Sequence, residues 1–375
     1  MDIIASTQFN CKDFSNALAI INKLVIAKKG ELVPLITYVR VTSSYLEYIG
    51  WENYAKVNIL GNDLSGDLDV VISIKGVVEV LKAVKNKGTF RLLDTSEGTI
   101  IIIGDNRYNI ANLQKTSWCP NAEGKPKLVR DSWLSCEFSV LEKCIPFVYT
   151  GEDKPSLLGI YVNNKTKAVT ATDGFRLIEV QLDNECFANF NLDDSYLIPT
   201  GLVKALKGTK GKVNVYKTIL ASGQLGYIWI ETASGVFAWI CEARNIFPDY
   251  PKLFDDFIHR IDFYTDISNL LKISLDCLLT LSDSNMKIEV YGEEGASAYE
   301  GVIASQVINV LVTNPYVSKD GKPFRIKLNS SYLLDCLAVC EQGAYNFSYK
   351  ACNRPLRFDC KVDTYNAIVM LMPLA

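Results

Sequence analysis

The single histidine, His259, stands beside Asp255, Asp256 and Asp262, the one string where an imidazole could meet carboxylates for general acid-base work. It follows a proline-rich turn and reads as a polar linker. With only one histidine, multi-histidine metal sites are excluded, and so is any Ser/His/Asp arrangement not built on that residue. The carboxylate pairs Asp193-Asp194, Asp255-Asp256 and Glu293-Glu294 lie in loop-like surroundings, where they are solvated. Gly208-Thr209-Lys210-Gly211-Lys212 has the residue types of a phosphate cradle without its spacing, and no GxGxxG occurs. The eleven cysteines are scattered without a CxxC pair and read as free thiols of a reducing cytoplasm. These residues point away from an enzyme and imply neither metal nor cofactor.

Three other strings stand out. In Ala171-Thr172-Asp173-Gly174-Phe175-Arg176-Leu177, Asp173 can bond its own backbone and Gly174 can take positive φ, so a tight turn between two strands is expected. Phe247-Pro248-Asp249-Tyr250-Pro251 sets aromatics around a stiff turn. The last residues, Ile368 to Ala375, form an uncharged apolar tail that must pack against the protein or a partner.

A repeat positions these strings. Val70–Ile74 reads as a strand, Gly76–Lys85 as an amphipathic helix, and Phe90–Leu93 with Thr99–Ile103 as a hairpin. The order returns in Tyr196–Ile198, Gly201–Lys207, Val213–Tyr216 and Gly226–Glu231. It returns again in Phe324–Leu328, Ser331–Cys340, Tyr345–Tyr349 and Leu356–Cys360. Aligning Leu81, Leu206 and Leu337 gives offsets of 125 and 131 residues. Each third also opens on a helix candidate: Phe14–Lys28, Val140–Phe147 and Ile267–Ile273. The chain of 375 residues is therefore expected to be α+β, with three repeated domains at 1–127, 128–253 and 254–375, each carrying two helices packed on antiparallel sheets. Asp2 and the absence of a basic-then-apolar start argue against a signal peptide, and the longest aliphatic run, Ile100–Ile103, is too short to span a membrane. A cytoplasmic protein is expected.

ATDGFRL resembles the ATDGHRL segment of the bacterial DNA polymerase III beta subunits, the sliding clamps. FPDYPKLF is similar to their FPDY segment, SYLLDCL to their third-domain helix and VMLMPLA to their VMPMRL tail; the four strings occur in the family's order. Phe175 stands where the family usually has histidine, and Ala375 ends a tail that usually closes on Arg-Leu, so a divergent member is implied. The resemblance implies a homodimeric head-to-tail ring around double-stranded DNA, without catalysis of its own, that makes the replicative polymerase processive. A clamp loader and other proteins with clamp-binding motifs would be partners. Carried over by motif, Leu157, Thr172, Gly174, Phe175, Arg176, Leu177, Pro248, Lys252 and Leu253 form one wall of a partner-peptide pocket. Tyr332, Met370, Leu371, Met372, Pro373 and Leu374 form the other.

A sliding ring needs a positive lining that ignores base sequence. The net charge is −3, yet the three thirds carry +2, −1 and −4. Lysines gather on the repeated helices of the first two: Lys82, Lys85 and Lys87, then Lys204, Lys207, Lys210 and Lys212, with Lys28 and Lys29 after the opening helix. These are the candidate DNA contacts. Tyr108, Ile110 and Leu281 are candidates for ring closure. The alternative is a scaffold of the same fold that binds partners without encircling DNA.

Overall fold

A computed structural model describes residues 2–25, 37–50, 52–114, 128–130, 133–188, 195–219, 225–240, 247–254, 257, 259–265, 276–282, 285–290, 306–311, 324–340 and 343–374. The chain begins with β1 (Ile3–Asn10), α1 (Cys11–Leu24), the meander β2 (Tyr38–Thr42), β3 (Tyr45–Ile49) and β4 (Asn53–Asn58), then β5 (Gly61–Ser65) and β6 (Asp69–Ser73). Helix α2 (Ile74–Ala83) leads into a second meander, β7 (Thr89–Thr95), β8 (Gly98–Ile103) and β9 (Asn106–Ile110), followed by the short β10 (Asn112–Leu113).

The same order recurs twice. Strand β11 (Trp133–Glu137) and α3 (Phe138–Cys144) precede β12 (Gly159–Asn163), β13 (Ala168–Thr172), β14 (Arg176–Gln181) and the short β15 (Phe187–Ala188). Next come β16 (Ser195–Pro199), α4 (Thr200–Ala205), β17 (Lys212–Ile219), β18 (Leu225–Thr232) and β19 (Gly235–Ile240). The last round is β20 (His259–Thr265), β21 (Asp276–Ser282), β22 (Asn285–Val290), β23 (Gln306–Leu311), β24 (Phe324–Asn329), α5 (Ser330–Val339), β25 (Gly343–Tyr349), β26 (Leu356–Val362) and β27 (Tyr365–Leu371). The helix expected over Ile267–Ile273 lies outside the described residues. Leu81, Leu206 and Leu337, equivalent in the repeat, are all buried.

Helix boundaries are set by caps more than by apolar spacing. Asn10 accepts from the N–H groups of Lys12 and Asp13 at 2.9 and 3.2 Å, so α1 starts three residues before Phe14 and ends at Leu24, short of the Lys28 expected. Ser73 accepts from the Gly76 N–H at 3.3 Å, and Asn329 from that of Tyr332 at 3.1 Å; in both places the last strand residue caps the next helix. Pro146 turns the end of the Val140–Phe147 candidate into a 3-10 turn at Ile145–Phe147.

The chain divides into two compact units: Met1–Ser135 with Gly201–Ala243, and Cys136–Thr200 with Arg244–Ala375. In the first, one sheet runs β5-β1-β7-β8-β9 and another runs β10-β6-β2-β3-β4-β19-β18-β17-β11. Phe9, Phe14 and Phe90 form a buried aromatic triad with centroids 5.1 to 5.6 Å apart. Gly201 lies against Trp239: a methyl group there would come within 2.7 Å of the indole. The second unit holds the sheet β16-β12-β13-β14-β27-β26-β25-β20 and the four-stranded sheet β23-β22-β21-β24.

Within each unit the third strand of one meander pairs antiparallel with the last strand of another: β4 with β19 (Ala55 opposite Phe237) and β14 with β27 (Ile178 opposite Val369). Among the described residues their equivalents β9 and β23 end their sheets. Such joints make two compact units out of three rounds of sequence, and the boundaries at 127/128 and 253/254 remain a reading of the repeat. Among the described residues no helix is long and apolar enough to cross a membrane.

Candidate functional site

The turn between β13 and β14 is built by its own side chains. Asp173 Oδ1 accepts from the N–H groups of Phe175 and Arg176, both at 2.9 Å. Thr172 Oγ1 donates to the Arg176 carbonyl at 2.7 Å and accepts from the Gly174 N–H at 3.1 Å. Gly174 takes φ +93°, where a side chain would be strained. With both ends held, Phe175 is pushed into water, 52% exposed, its ring centroid 6.1 Å from that of Tyr332 on α5.

Arg176 locks this arrangement. Its side chain is only 10% exposed; Nε donates to Asp173 Oδ2 at 2.9 Å, one Nη to the Pro146 carbonyl at 2.6 Å, and the other to Asp335 on α5. The guanidinium also lies 4.1 Å from the Tyr332 ring centroid. Burial alone would lower its pKa, but Asp173 and Asp335 outweigh that and raise it. Arg176 thus ties the turn to α5 and presents no free donor fork to a ligand.

Below the turn, Leu157, Leu177, Phe247, Tyr250 and Met370 form one buried cluster, with Tyr149, Tyr161, Leu197, Phe254, Phe257 and Ile368 packed against it. Phe247 stacks on Tyr161 at 4.4 Å. Strand pairing brings Leu177 opposite Met370 and Arg176 opposite Leu371, and the Met372 N–H donates to the Phe175 carbonyl at 2.8 Å. The Leu374 N–H donates to the Lys327 carbonyl at 2.9 Å, so the apolar tail is held by the protein itself. Leu157, Leu177, Met370 and Leu371 are therefore floor rather than wall. The apolar side chains that reach water are Phe175, Leu253, Met372 and Leu158, the last of which no motif in the sequence marks. Pro248 and Lys252 are exposed, and Lys252 pairs with Asp249 at 2.9 Å. Pro373 and Leu374 are half-buried.

A buried carboxylate supports the floor. Tyr250 accepts from Thr170 Oγ1 at 2.9 Å and bonds to Glu179, whose pKa burial raises while the Tyr250 hydroxyl and Arg357 pull it down. Burial and Glu179 push the Tyr250 hydroxyl up.

The lysine candidates fall on helix ends. Lys82 closes α2; Lys85 and Asn86 adopt φ near +55° before Gly88, an unusual left-handed pair. Lys204 lies on α4, and Lys207, Lys210 and Lys212 follow it around Gly208 and Gly211, both at positive φ. All seven, counting Lys87, are exposed, and among the described residues none makes an ion pair. A groove of about 280 Å³ brings Lys207 and Lys210 together with Ile20 and Lys23 of α1. Nothing in the spacing of the chain links Lys23 to residues nearly two hundred positions away. Lys28 and Lys29 lie outside the described residues.

Tyr108 is half-exposed on β9 and Ile110 is buried there, but Leu281 is fully buried on the inner strand β21 and cannot meet another molecule. Of the acid-base string, His259 is exposed on β20 and stacks on Tyr349, while Asp262 pairs with Arg260. Asp255 and Asp256 lie outside the described residues. Among the described residues no group of three His, Cys, Asp or Glu could hold a metal.

No family model matches the chain, and no curated protein matches it significantly. Solved structures do. The chain is similar to the Helicobacter pylori beta clamp bound to a DNA ligase peptide, with TM-score 0.79 and 14% identity over 99% of this chain and 100% of that one. It is similar to the DNA polymerase sliding clamp of Bacillus subtilis, with TM-score 0.76 and 15% identity over 99% of both chains. For Caulobacter crescentus pol III beta the TM-score is 0.72 and the identity 16%, over 99% of this chain and 100% of that one. With so little identity the likeness is one of backbone, and over its whole length this chain has the fold of the bacterial DNA polymerase III beta clamps.

Proposed function

We propose that this protein is a sliding clamp: a non-catalytic ring of two copies that encircles duplex DNA, tethers a replicative polymerase and docks partner proteins by short peptides. The observation that carries this is the edge-to-edge logic of the repeat. Strands β4 and β14 each find a partner in the last strand of another meander, while among the described residues β23 and β9 end their sheets. A second copy supplies the missing partner for each, a heterologous contact that closes after two copies. Three domains per copy, divided at 127/128 and 253/254, would give six.

Lys82, Lys85, Lys87, Lys204, Lys207, Lys210, Lys212 and Lys23, exposed and without ion pairs among the described residues, supply charge that is attractive to phosphates and blind to base sequence. The exposed apolar group of Phe175, Leu158, Leu253 and Met372, over a floor of Leu177 and Met370, supports peptide capture; the Helicobacter pylori clamp was solved with a DNA ligase peptide. A clamp loader is the partner that a closed ring would require, and the cytoplasm is where these partners work. The deciding experiment loads the chain on a nicked circular duplex. A clamp stays bound through a high-salt wash and leaves when the circle is cut; Lys82, Lys85, Lys204 and Lys207 changed together to Glu abolish that retention. Salt-sensitive binding indifferent to cutting would overturn the ring.

A further inference from the structure

Strands β25 and β26 pair at only one described point, Ser348 opposite Arg357. Beyond it a side chain replaces the ladder: Asn346 Nδ2 donates to the Asp359 carbonyl at 3.1 Å, while its buried Oδ1 has no partner among the described residues. A cavity of about 500 Å³ opens along this seam, lined by Cys340, Cys360, Asn346, Arg260, Arg357 and Lys361 among others. Cys340 is the C-cap of α5, and Cys360 lies on β26 opposite Ala367 of β27. One thiol comes from a helix end and the other from the sheet beneath it, and both face one solvent-connected space.

No other described cysteine lines the seam. Cys11, Cys136, Cys144, Cys277 and Cys336 are fully buried, and Cys186 is buried against the Tyr365 hydroxyl at 3.5 Å. Cys352 is exposed, but it does not line the seam. Cys340 is also the group acting most strongly on the Cys360 thiol, raising it ahead of burial, as expected for sulfurs that face each other.

We infer that Cys340 and Cys360 are a redox-sensitive dithiol that hydrogen peroxide converts to a disulfide, fastening the end of α5 to β26. One thiolate attacks the peroxide O–O bond, forming a sulfenic acid and releasing hydroxide, which takes up a proton to become water. The other thiol then attacks the sulfenic sulfur, the S–S bond forms, and a second water leaves. Two thiols lose two electrons and peroxide gains two. Lys143 is the cation that favours the Cys360 thiolate, against burial and Asp359, which raise the thiol. Since α5 also carries Tyr332 and Asp335, the bond stiffens the element that holds Phe175 and Arg176.

The test is peptide mapping of the folded wild-type chain after limited peroxide treatment and alkylation under denaturing conditions. The expected product is a Cys340–Cys360 cross-linked peptide, lighter than the two reduced peptides by two hydrogens, reversed by dithiothreitol and accompanied by a melting temperature higher by a few degrees. In Cys360→Ser a dimedone-trapped sulfenic acid at Cys340 replaces the cross-link. Full alkylation of both residues after a dose that has oxidised Cys352, or a bond from Cys360 to Cys352, would overturn the assignment. The mapping needs only the wild-type chain, so a poorly folding variant does not blunt it.

Discussion

Arg176 is the residue on which the turn between β13 and β14 depends, although its place in the ATDGFRL string suggests a ligand contact. Its guanidinium is shared among Asp173, Asp335 and the Pro146 carbonyl. Removing it leaves two carboxylates without their counter-charge, so Arg176→Ala should cost about 2–3 kcal/mol by urea unfolding. Arg176→Lys should lose most of that too, because a compact ammonium lacks the guanidinium's rigid fork and does not reach Asp173, Asp335 and the Pro146 carbonyl together. Glu179 gives a pH-dependent prediction. Its folded pKa is raised by burial above the unfolded value of about 4.3, so the folded state favours the protonated form. Stability from this group is complete below that unfolded value and is lost as pH rises through the folded one. Wild type should therefore lose stability relative to Glu179→Gln across that window and show a constant difference above it, read from denaturation midpoints at successive pH values.

Elements show how far the sequence could be read. The strand-helix-hairpin order was legible because alternation and helical spacing are local, and Leu81, Leu206 and Leu337 fall in equivalent buried places as the alignment requires. Helix starts were less legible: Asn10 and Asn329 cap from the preceding strand, where their polarity looks like ordinary alternation. Asn329→Ala should destabilise by about 1 kcal/mol and lower the melting temperature, since it strips the acceptor from the Tyr332 N–H at the start of α5. Long-range pairings were not legible at all. Asp335 reaches Arg176 across 159 residues, and Cys340 shares a seam with β26; neither depends on spacing along the chain. The same holds for Leu281, an apolar residue that looks fit for an interface until its strand is seen to lie inside its sheet.

For the whole molecule the prediction concerns assembly. Tyr108 is half-exposed on β9, the last described strand of its sheet, so Tyr108→Asp should place an unpartnered charge at the proposed joint with β23 and leave a folded monomer by light scattering, against the dimer expected of the wild type. Unchanged mass would refute that edge as the joint. The close seat of Trp239 on Gly201 has another use. An indole in van der Waals contact with the first turn of α4, one turn before Lys204 and Lys207, makes its emission sensitive to any ligand that shifts the helix or changes the field around it. The chain thus carries its own optical probe beside the lysines proposed to meet DNA. Adding duplex should change the tryptophan emission of the wild type, and Trp239→Phe, which keeps the other four tryptophans, should lose that change, so encounter with nucleic acid can be timed without attaching a dye.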